Sequence, residues 1–246
     1  MGGRRSKGTV ERPAPPSSKG AGRIRYEELH AVLRERICML IYPPGVTLSE
    51  SELAAEFRVS RTPIRRVLQS LEAQGLVETK QSVGTIVTSV ELKALREVYA
   101  VRMALAETLG TVGATAPARA ALARFGALLE RAGRLGPSRD FKEFVRINND
   151  LQHELGLLAG NGTFHKITEQ LYYQTIRVYF GIVPELDWEA EAGWLCAELG
   201  EIIRALEADD LRAVGLVRRN HISMNLVRIT NYVLGQPGHR RLAAGS

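Results

Sequence analysis

The sequence predicts a mainly α protein in two parts: three helices with a β-hairpin, then an all-helical bundle. Residues 24–74 carry apolar side chains at helical spacing, interrupted by turn signals. Two β-branched runs, LVETK and TIVTS, follow on either side of a turn that contains glycine. Beyond Val90 no strand pattern returns, and helical spacing continues to about residue 235.

The first two helices are predicted from their apolar spacing and their ends. Residues 24–41 have leucine, isoleucine and valine every three or four positions, and the stretch YPPG ends this helix. A capping box begins the second helix, with Ser49 as the N-cap and Glu52 at the third position. We therefore expect a long helix followed by a short one.

The third helix is predicted to run from about Arg61 to Gln74. Ser60 is expected to accept a hydrogen bond as its N-cap, and Gly75 supplies the C-terminal stop. The hairpin turn falls around residues 81–84. Helix, short helix, turn, helix and hairpin is the order of a winged helix-turn-helix.

The start of the third helix is unusually basic. Four arginines fall within nine residues that contain no acid: Arg58, Arg61, Arg65 and Arg66. Arg61 and Arg65 are four residues apart and so share a face, and the N-terminal end of such a helix enters the major groove. An arginine there can contact guanine, while the hydroxyls of Ser60 and Thr62 suit phosphate oxygens. The alternative is a solvated basic face.

Composition and charge divide the chain into four segments. The 246 residues are 45% hydrophobic and carry a net charge of +6, most of which lies in the Gly-, Ser- and Pro-rich first 23 residues. That stretch is predicted to be a disordered basic tail. The predicted organisation is a tail at 1–23, a DNA-binding domain at 24–90, a helical domain at 91–235 and a flexible tail at 236–246.

The compartment and the broad class also follow from the sequence. No apolar run is long enough for a membrane helix, and no signal peptide is recognised, so we expect a cytoplasmic protein without membrane partners. Cys38 and Cys196 lack metal-type spacing and are expected to be buried thiols. The chain has no Gly-rich phosphate loop, nucleophile elbow or HExxH motif, so it is not expected to be an enzyme.

The segment LSESELAAEFRVSRTPIRRVLQSLEAQGLVETKQSVGTIVTSV closely resembles the DNA-binding domain of the GntR family of bacterial transcription regulators. The resemblance implies that Ser60, Arg61, Thr62 and Arg65 stand at DNA-contacting positions, with Gly84 at the wing tip in the minor groove. We add Ser49 and Arg66 to this predicted DNA-contacting set. One departure is Ser51, where family members commonly have arginine.

The second half is similar to the effector domain of the FadR branch of that family, called an FCD domain. The similarity is carried by LREVYAVRMALAE, AGN and LEADDLRAVGLVRRNHI. It implies a homodimer that binds a pseudo-palindromic operator in double-stranded DNA. It also implies that a small molecule in the helical domain changes the affinity for DNA, with repression relieved by ligand as the expected direction.

Many such domains hold a divalent metal through an Asp and a His four residues apart on one helix and two later histidines. Alignment on AGN places Asn148 and Gln152 at the first two positions, and counting from Asp210 places Leu199 and His221 at the last two. Only His221 is a good metal ligand, so we expect no metal cofactor. The fallback is a metal site rebuilt around Asn149, His153 and His221.

The predicted effector pocket consists of these four positions and one arginine. Its residues are Arg102, Asn148, Gln152, Leu199 and His221. The resemblance places an arginine near the effector at Arg102, and a guanidinium suits a carboxylate. An interhelical or surface salt bridge is the alternative for this arginine. Candidate effectors are an organic acid, a fatty acid or an acyl-CoA. Alternative functions are a constitutive DNA-binding protein with a degenerate pocket, or a metal-dependent organic-acid sensor.

Overall fold

The computed structural model describes residues 26–112 and 118–235 and divides the chain into two compact units between Thr88 and Ser89. The sequence placed this boundary at residue 90. The predicted tails, 1–23 and 236–246, lie outside the described residues. Across the described ranges, no helix combines the length and apolarity needed to cross a bilayer.

The first unit has three helices and three strands. The helices are α1 (Tyr26–Cys38), α2 (Glu50–Phe57) and α3 (Arg61–Ala73), and the strands are β1 (Thr47–Leu48), β2 (Val77–Lys80) and β3 (Gly84–Val87). Helices α1 and α2 both pack on α3. The buried side chains between them include Leu33, Ile37, Leu53, Phe57, Ile64, Val67, Leu68 and Leu71.

The helix ends match the sequence signals with one exception. The backbone N–H of Glu52 donates to Ser49 Oγ at 3.3 Å, as the capping box requires. Gly75 adopts φ +73° just after α3, where a glycine carries no steric penalty. Ser60 occupies the N-cap of α3, but its side chain makes no capping hydrogen bond, so that expectation was wrong.

The predicted hairpin is part of a three-stranded antiparallel sheet. The strand order is β1-β3-β2, with Lys80 opposite Gly84 and Thr47 opposite Ile86. Strand β1 was not predicted because two residues are too short to show an alternating pattern. Its pairing is continued by the backbone N–H of Gly45, which donates to the Val87 carbonyl at 2.8 Å.

The second unit is helical, with seven α-helices among the described residues. They are α4 (Leu92–Glu107), α5 (Leu122–Gly133), α6 (Leu135–Ser138), α7 (Phe141–Leu158), α8 (Gly162–Ile182), α9 (Trp188–Glu207) and α10 (Leu211–Gly235). The shortest is α6, a single helical turn formed by the sequence LGPS.

The bundle is built by pairs of long helices. Helix α10 packs on α4 and α9, α5 packs on α9 and α7, and α8 packs on α7 and α4. At Gly215 the backbones of α10 and α4 come so close that an added Cβ would lie 2.4 Å from the Ala106 carbonyl oxygen. Neither cysteine forms a disulfide; Cys38 is buried as expected, whereas Cys196 is only half-buried.

Candidate functional site

The N-terminal end of α3 presents a polar, exposed surface. The side chains of Arg61 and Arg65 are 64% and 59% exposed, and Thr62 is also exposed. The opposite side of the helix is buried through Ile64 and Val67. The hydroxyl of Ser60 is not used in capping, so this end offers hydroxyl groups and guanidinium groups to a polyanion.

An acid on α2 organises the two arginines. Arg65 donates from Nε and Nη2 to the two carboxylate oxygens of Glu50, at 2.9 and 2.8 Å. Arg61 Nη2 lies 3.6 Å from Glu50 Oε2. The hydrogen bonds from Arg65 lower the pKa of the Glu50 carboxyl below its usual value. Sequence reasoning missed this role of Glu50 because the pairing joins two different helices.

Two other predicted residues point elsewhere. The guanidinium of Arg66 lies 5.5 Å from the ring centroid of Tyr26 in α1, so Arg66 is directed away from the pair formed by Arg61 and Arg65. Ser49 caps α2, and its hydroxyl is 2.9 Å from the Ser51 hydroxyl. Arg66 therefore does not join the cluster that Arg61 and Arg65 form with Glu50.

The wing tip is an exposed turn. Gly84 begins β3 with φ +108°, and Ser82 also has a positive φ of +67°. Residues 81–84 are all exposed. A left-handed backbone at Gly84 favours glycine over any residue with a Cβ, which gives a structural reason for glycine here.

In the helical unit, Arg102 on α4 is 5% exposed. Its Nη1 donates to Thr175 Oγ1 at 2.8 Å, and its guanidinium lies 4.9 and 5.5 Å from the ring centroids of Tyr99 and Tyr172. Among the described residues, no carboxylate lies within 4.0 Å of it. Burial lowers the pKa of the Arg102 guanidinium, and repulsion from Arg218 adds to this. The salt-bridge alternative for Arg102 is not what the structure shows.

A cavity of about 30 Å³ lies beside Arg102. It is bounded by α4, α7, α8 and α10 and is mostly apolar, with Arg102, Gln152, Thr168 and Arg218 as its polar side chains. The apolar part of the wall consists of Ala106, Leu109, Leu155, Gly156, Phe164 and Ile222. Two buried arginines thus face one small, otherwise weakly polar space.

Arg218 belongs to a buried network that sequence reasoning missed. Its Nη1 donates to Glu198 Oε1 at 2.7 Å and its Nη2 to Gln152 Oε1 at 3.1 Å, while its Nε is buried without a hydrogen-bond partner. Arg218 precedes His221 by three residues, so the two share a helix face. This spacing was the sequence signal that could have placed Arg218 inside the bundle with His221. Glu198 pairs with Arg218, so within the described ranges Arg102 keeps no carboxylate to compensate its charge.

The other predicted pocket residues do not join this cavity. Asn148 and His221 line a second cavity of about 10 Å³, together with Glu198 and Glu191. Asn148 Nδ2 donates to the Phe144 carbonyl at 2.9 Å, within its own helix. Leu199 is fully buried and lines neither cavity. In this structure the five predicted pocket residues are therefore divided: Arg102 and Gln152 line the first cavity, Asn148 and His221 line the second, and Leu199 lines neither.

The residues at the metal positions do not fit a metal. Leu199 has no donor atom, Asn148 offers only a neutral amide oxygen, and Gln152 Oε1 accepts from a cationic guanidinium. The fallback set is not assembled either. His153 is exposed and contacts His165, whereas His221 faces Glu198 and Glu201 at 3.8 and 3.5 Å. Asn149 accepts from the Tyr172 hydroxyl at 2.9 Å.

Two family models match the two units. Residues 25–87 match the bacterial regulatory proteins of the gntR family. Residues 97–224, about half of the chain, match the FCD domain. Proteins of this kind are transcription regulators rather than enzymes, and they bind DNA through the first domain and small-molecule effectors through the second.

Curated relatives agree with this assignment. An uncharacterized HTH-type transcriptional regulator of Streptomyces ambofaciens is 33% identical over 142 residues, which span 57% of this chain and 59% of that protein. The gluconate operon transcriptional repressor of Bacillus subtilis is 36% identical over 83 residues, 34% of this chain and 32% of that protein. The chain therefore matches less than two thirds of the length of either relative.

Solved structures share the fold at low sequence identity. McbR/YncC of E. coli is 18% identical with a TM-score of 0.72, over 84% of this chain and 97% of that one. Lar of Listeria monocytogenes is 17% identical with a TM-score of 0.53, over 86% and 99%. With its winged helix-turn-helix unit and its helical FCD domain, the chain belongs to the GntR family of DNA-binding transcription regulators.

Proposed function

We propose that this regulator is a homodimeric repressor that acts in the cytoplasm and whose affinity for a pseudo-palindromic operator falls when a small carboxylate binds beside Arg102. The observation that carries the effector class is the burial of Arg102 without a carboxylate partner among the described residues. A buried cation is costly unless an anion compensates it. A ligand carboxylate supplies that anion, and the unused Nε of Arg218 offers a second donor.

The cavity favours a small acid. Its volume of about 30 Å³ is room for roughly two water molecules. A short carboxylate requires a modest expansion of this space, whereas a fatty acid or acyl-CoA requires the helices to separate. We therefore rank a small organic acid before the acyl ligands.

The proposed carboxylate site contains no metal. The family resemblance implies a metal as the cation in many such domains; here Arg102 and Arg218 supply positive charge to the cavity. A guanidinium can hold a carboxylate through two parallel hydrogen bonds, which provides orientation as well as charge. His221 then has a structural role beside Glu198 and Glu201.

The proposal of a dimer rests on an apolar face of α10. Leu216, Val227 and Leu234 are 54%, 54% and 68% exposed. Their spacings of eleven and seven residues place them on one side of a helix. Val101, on the neighbouring α4, is 50% exposed. Exposed apolar side chains that share a face mark interaction surfaces, and a symmetric dimer matches an operator with two half-sites.

Repression is proposed because the gluconate operon protein of Bacillus subtilis is named a repressor. The linkage is reciprocal: if the carboxylate binds better to the arrangement that does not bind DNA, DNA and carboxylate weaken each other's binding by the same factor. The effector therefore needs no contact with the DNA-binding unit.

The effector proposal is tested by fluorescence anisotropy with DNA that flanks the protein's own gene. Acetate, lactate, malonate, gluconate, octanoate and octanoyl-CoA are added in turn, with acetamide and lactamide as uncharged controls. We expect a small carboxylate, but not its amide, to weaken DNA binding. Arg102→Gln should bind DNA normally and lose roughly ten- to a hundredfold in carboxylate affinity. Arg96→Gln removes an exposed charge from the same helix and should respond normally.

Each other outcome has a distinct meaning. A response only to octanoate or octanoyl-CoA would replace the small acid with an acyl effector. If no compound changes either DNA binding or thermal stability, the protein binds DNA constitutively and its pocket is degenerate. An effect that depends on added metal and on His221 would instead support the metal-dependent sensor.

The dimer is tested separately by light scattering on the full chain. We expect a dimeric mass for the native protein. Val227→Glu should yield a folded monomer, because the exposed position tolerates a charge in the monomer but not in a buried interface. If the Val227→Glu variant still has a dimeric mass, the dimer interface lies elsewhere on the protein.

A further inference from the structure

Three potential metal ligands converge on the side of the helical unit formed by α7 and α8. His153 comes from α7, and His165 and Glu169 come from α8. One ligand atom from each residue lies within 4.8 Å of the others. None of these residues belongs to the four metal positions implied by the family resemblance.

The arrangement is built into the packing of two helices. His165 and Glu169 are four residues apart and so project from the same face of α8. The rings of His153 and His165 meet edge to face with centroids 5.1 Å apart. Gly156 on α7 makes this approach possible, because a Cβ at this position would lie 2.3 Å from His165 Nδ1. Any larger residue would push His165 away from His153.

The donor set selects one class of ion. Two imidazoles and one carboxylate suit zinc and other divalent transition metals, whereas magnesium and calcium prefer sites composed of oxygen ligands. At metal–ligand distances of about 2.1 Å, ligands at tetrahedral corners lie roughly 3.4 Å apart. The side chains therefore need to move inward by only about an ångström, and His153 is exposed and has room to do so.

We propose that His153, His165 and Glu169 form a site for a divalent transition metal, with zinc as its probe and water completing the coordination. The metal would link α7 to α8. Gly156 and two neighbours of His165 along α8, Phe164 and Thr168, line the cavity beside Arg102. Metal binding therefore stiffens one wall of that cavity without contributing a ligand to it.

The test uses the full-length, tag-free protein after removal of metal by chelator. Zinc is titrated by calorimetry, and bound zinc is measured by elemental analysis after gel filtration. We expect one equivalent to bind and thermal stability to rise. His153→Gln and Glu169→Gln should each weaken zinc binding by at least about tenfold while leaving the unfolding temperature of the metal-free protein nearly unchanged.

His221→Gln is the matched control, since it removes a histidine from the family's metal position. It should leave the zinc affinity and stoichiometry unchanged. The proposal is overturned if His153→Gln and Glu169→Gln bind zinc as the native protein does. It is equally overturned if His221→Gln abolishes binding, because the metal would then occupy the family position.

Discussion

The guanidinium of Arg65 on α3 forms a two-point contact with the carboxylate of Glu50 on α2, at 2.9 and 2.8 Å. In the free protein, the arginine expected to contact a base is thus already held in position and electrically compensated. DNA must compete with Glu50 for this guanidinium or bind it together with Glu50. We therefore expect the acid to oppose nonspecific attraction to phosphates and to hold Arg65 in the orientation of the proposed base contact.

The first prediction concerns Glu50→Gln. Loss of the acid should strengthen binding to nonspecific DNA and steepen its salt dependence, because Arg65 and Arg61 become fully available to phosphates. The ratio of operator affinity to nonspecific affinity should fall. Anisotropy titrations at several salt concentrations measure both quantities. Glu97→Gln, an exposed acid on α4, changes the net charge equally and should have little effect; equal effects of the two substitutions would rule out a local role for Glu50.

The second prediction compares two neighbouring arginines. Arg65→Ala should cost roughly 1–3 kcal/mol of operator binding and relax discrimination at one base pair. Arg66→Ala should cost less, since Arg66 is directed to the ring of Tyr26. Operator variants with single base-pair changes, titrated with both proteins, provide the measurement. Uniform loss of affinity on all sequences after Arg65→Ala would make Arg65 a phosphate contact instead.

The third prediction concerns pH. Because Arg65 lowers the pKa of Glu50 below 4.5, the pair stabilises the fold above this ordinary value, and the contribution is lost as pH falls through the lower, folded-state pKa. The effect on stability is small because Arg65 is 59% exposed and solvent screens the pair. The pKa itself is measurable by carboxyl NMR. It should rise toward 4.5 in Arg65→Ala, and an unchanged midpoint would contradict the pairing in solution.

The fourth prediction concerns the buried pair of Arg218 and Glu198. Arg218→Ala should lower the free energy of unfolding by about 3–5 kcal/mol, since it leaves Glu198 buried without its partner. The double variant Arg218→Met with Glu198→Gln should be much closer to the native protein. Urea unfolding measures the free energy of unfolding of the single and the double variant. A double variant as unstable as Arg218→Ala would show that packing, rather than the uncompensated charge, dominates.

The fifth prediction uses two glycines in helices. Gly215→Ala should destabilise the fold by roughly 1–3 kcal/mol, because the new methyl group meets the Ala106 carbonyl of α4. Gly200→Ala has space, with Arg204 Nη1 at 3.7 Å, and should stabilise α9 by up to about 1 kcal/mol. Thermal unfolding of both variants provides the comparison. Stabilisation by Gly215→Ala would mean that α4 and α10 separate easily.

The sequence alone determined the elements whose signals are local. Apolar spacing, the capping residue Ser49 and the stop at Gly75 placed the three helices of the DNA-binding unit within a few residues. Basic residues at the start of α3 marked its exposed face, because burial of Ile64 and Val67 forces Arg61 and Arg65 outward. Asn148 and Gln152, which the alignment on AGN placed at family positions, are both buried in the bundle.

Tertiary structure decided the pairings between distant segments. Glu50 meets Arg65, Arg218 meets Gln152 and Glu198, and His153 meets His165, each across two helices. Helical spacing fixes the direction in which a side chain projects, but not the residue that faces it from another helix. That partner depends on helix crossings and side-chain rotamers, which arise only when the whole core packs. The sequence therefore established the two units and their exposed faces. Packing separated the predicted pocket residues and left Arg102 without a carboxylate partner in the described part of the chain.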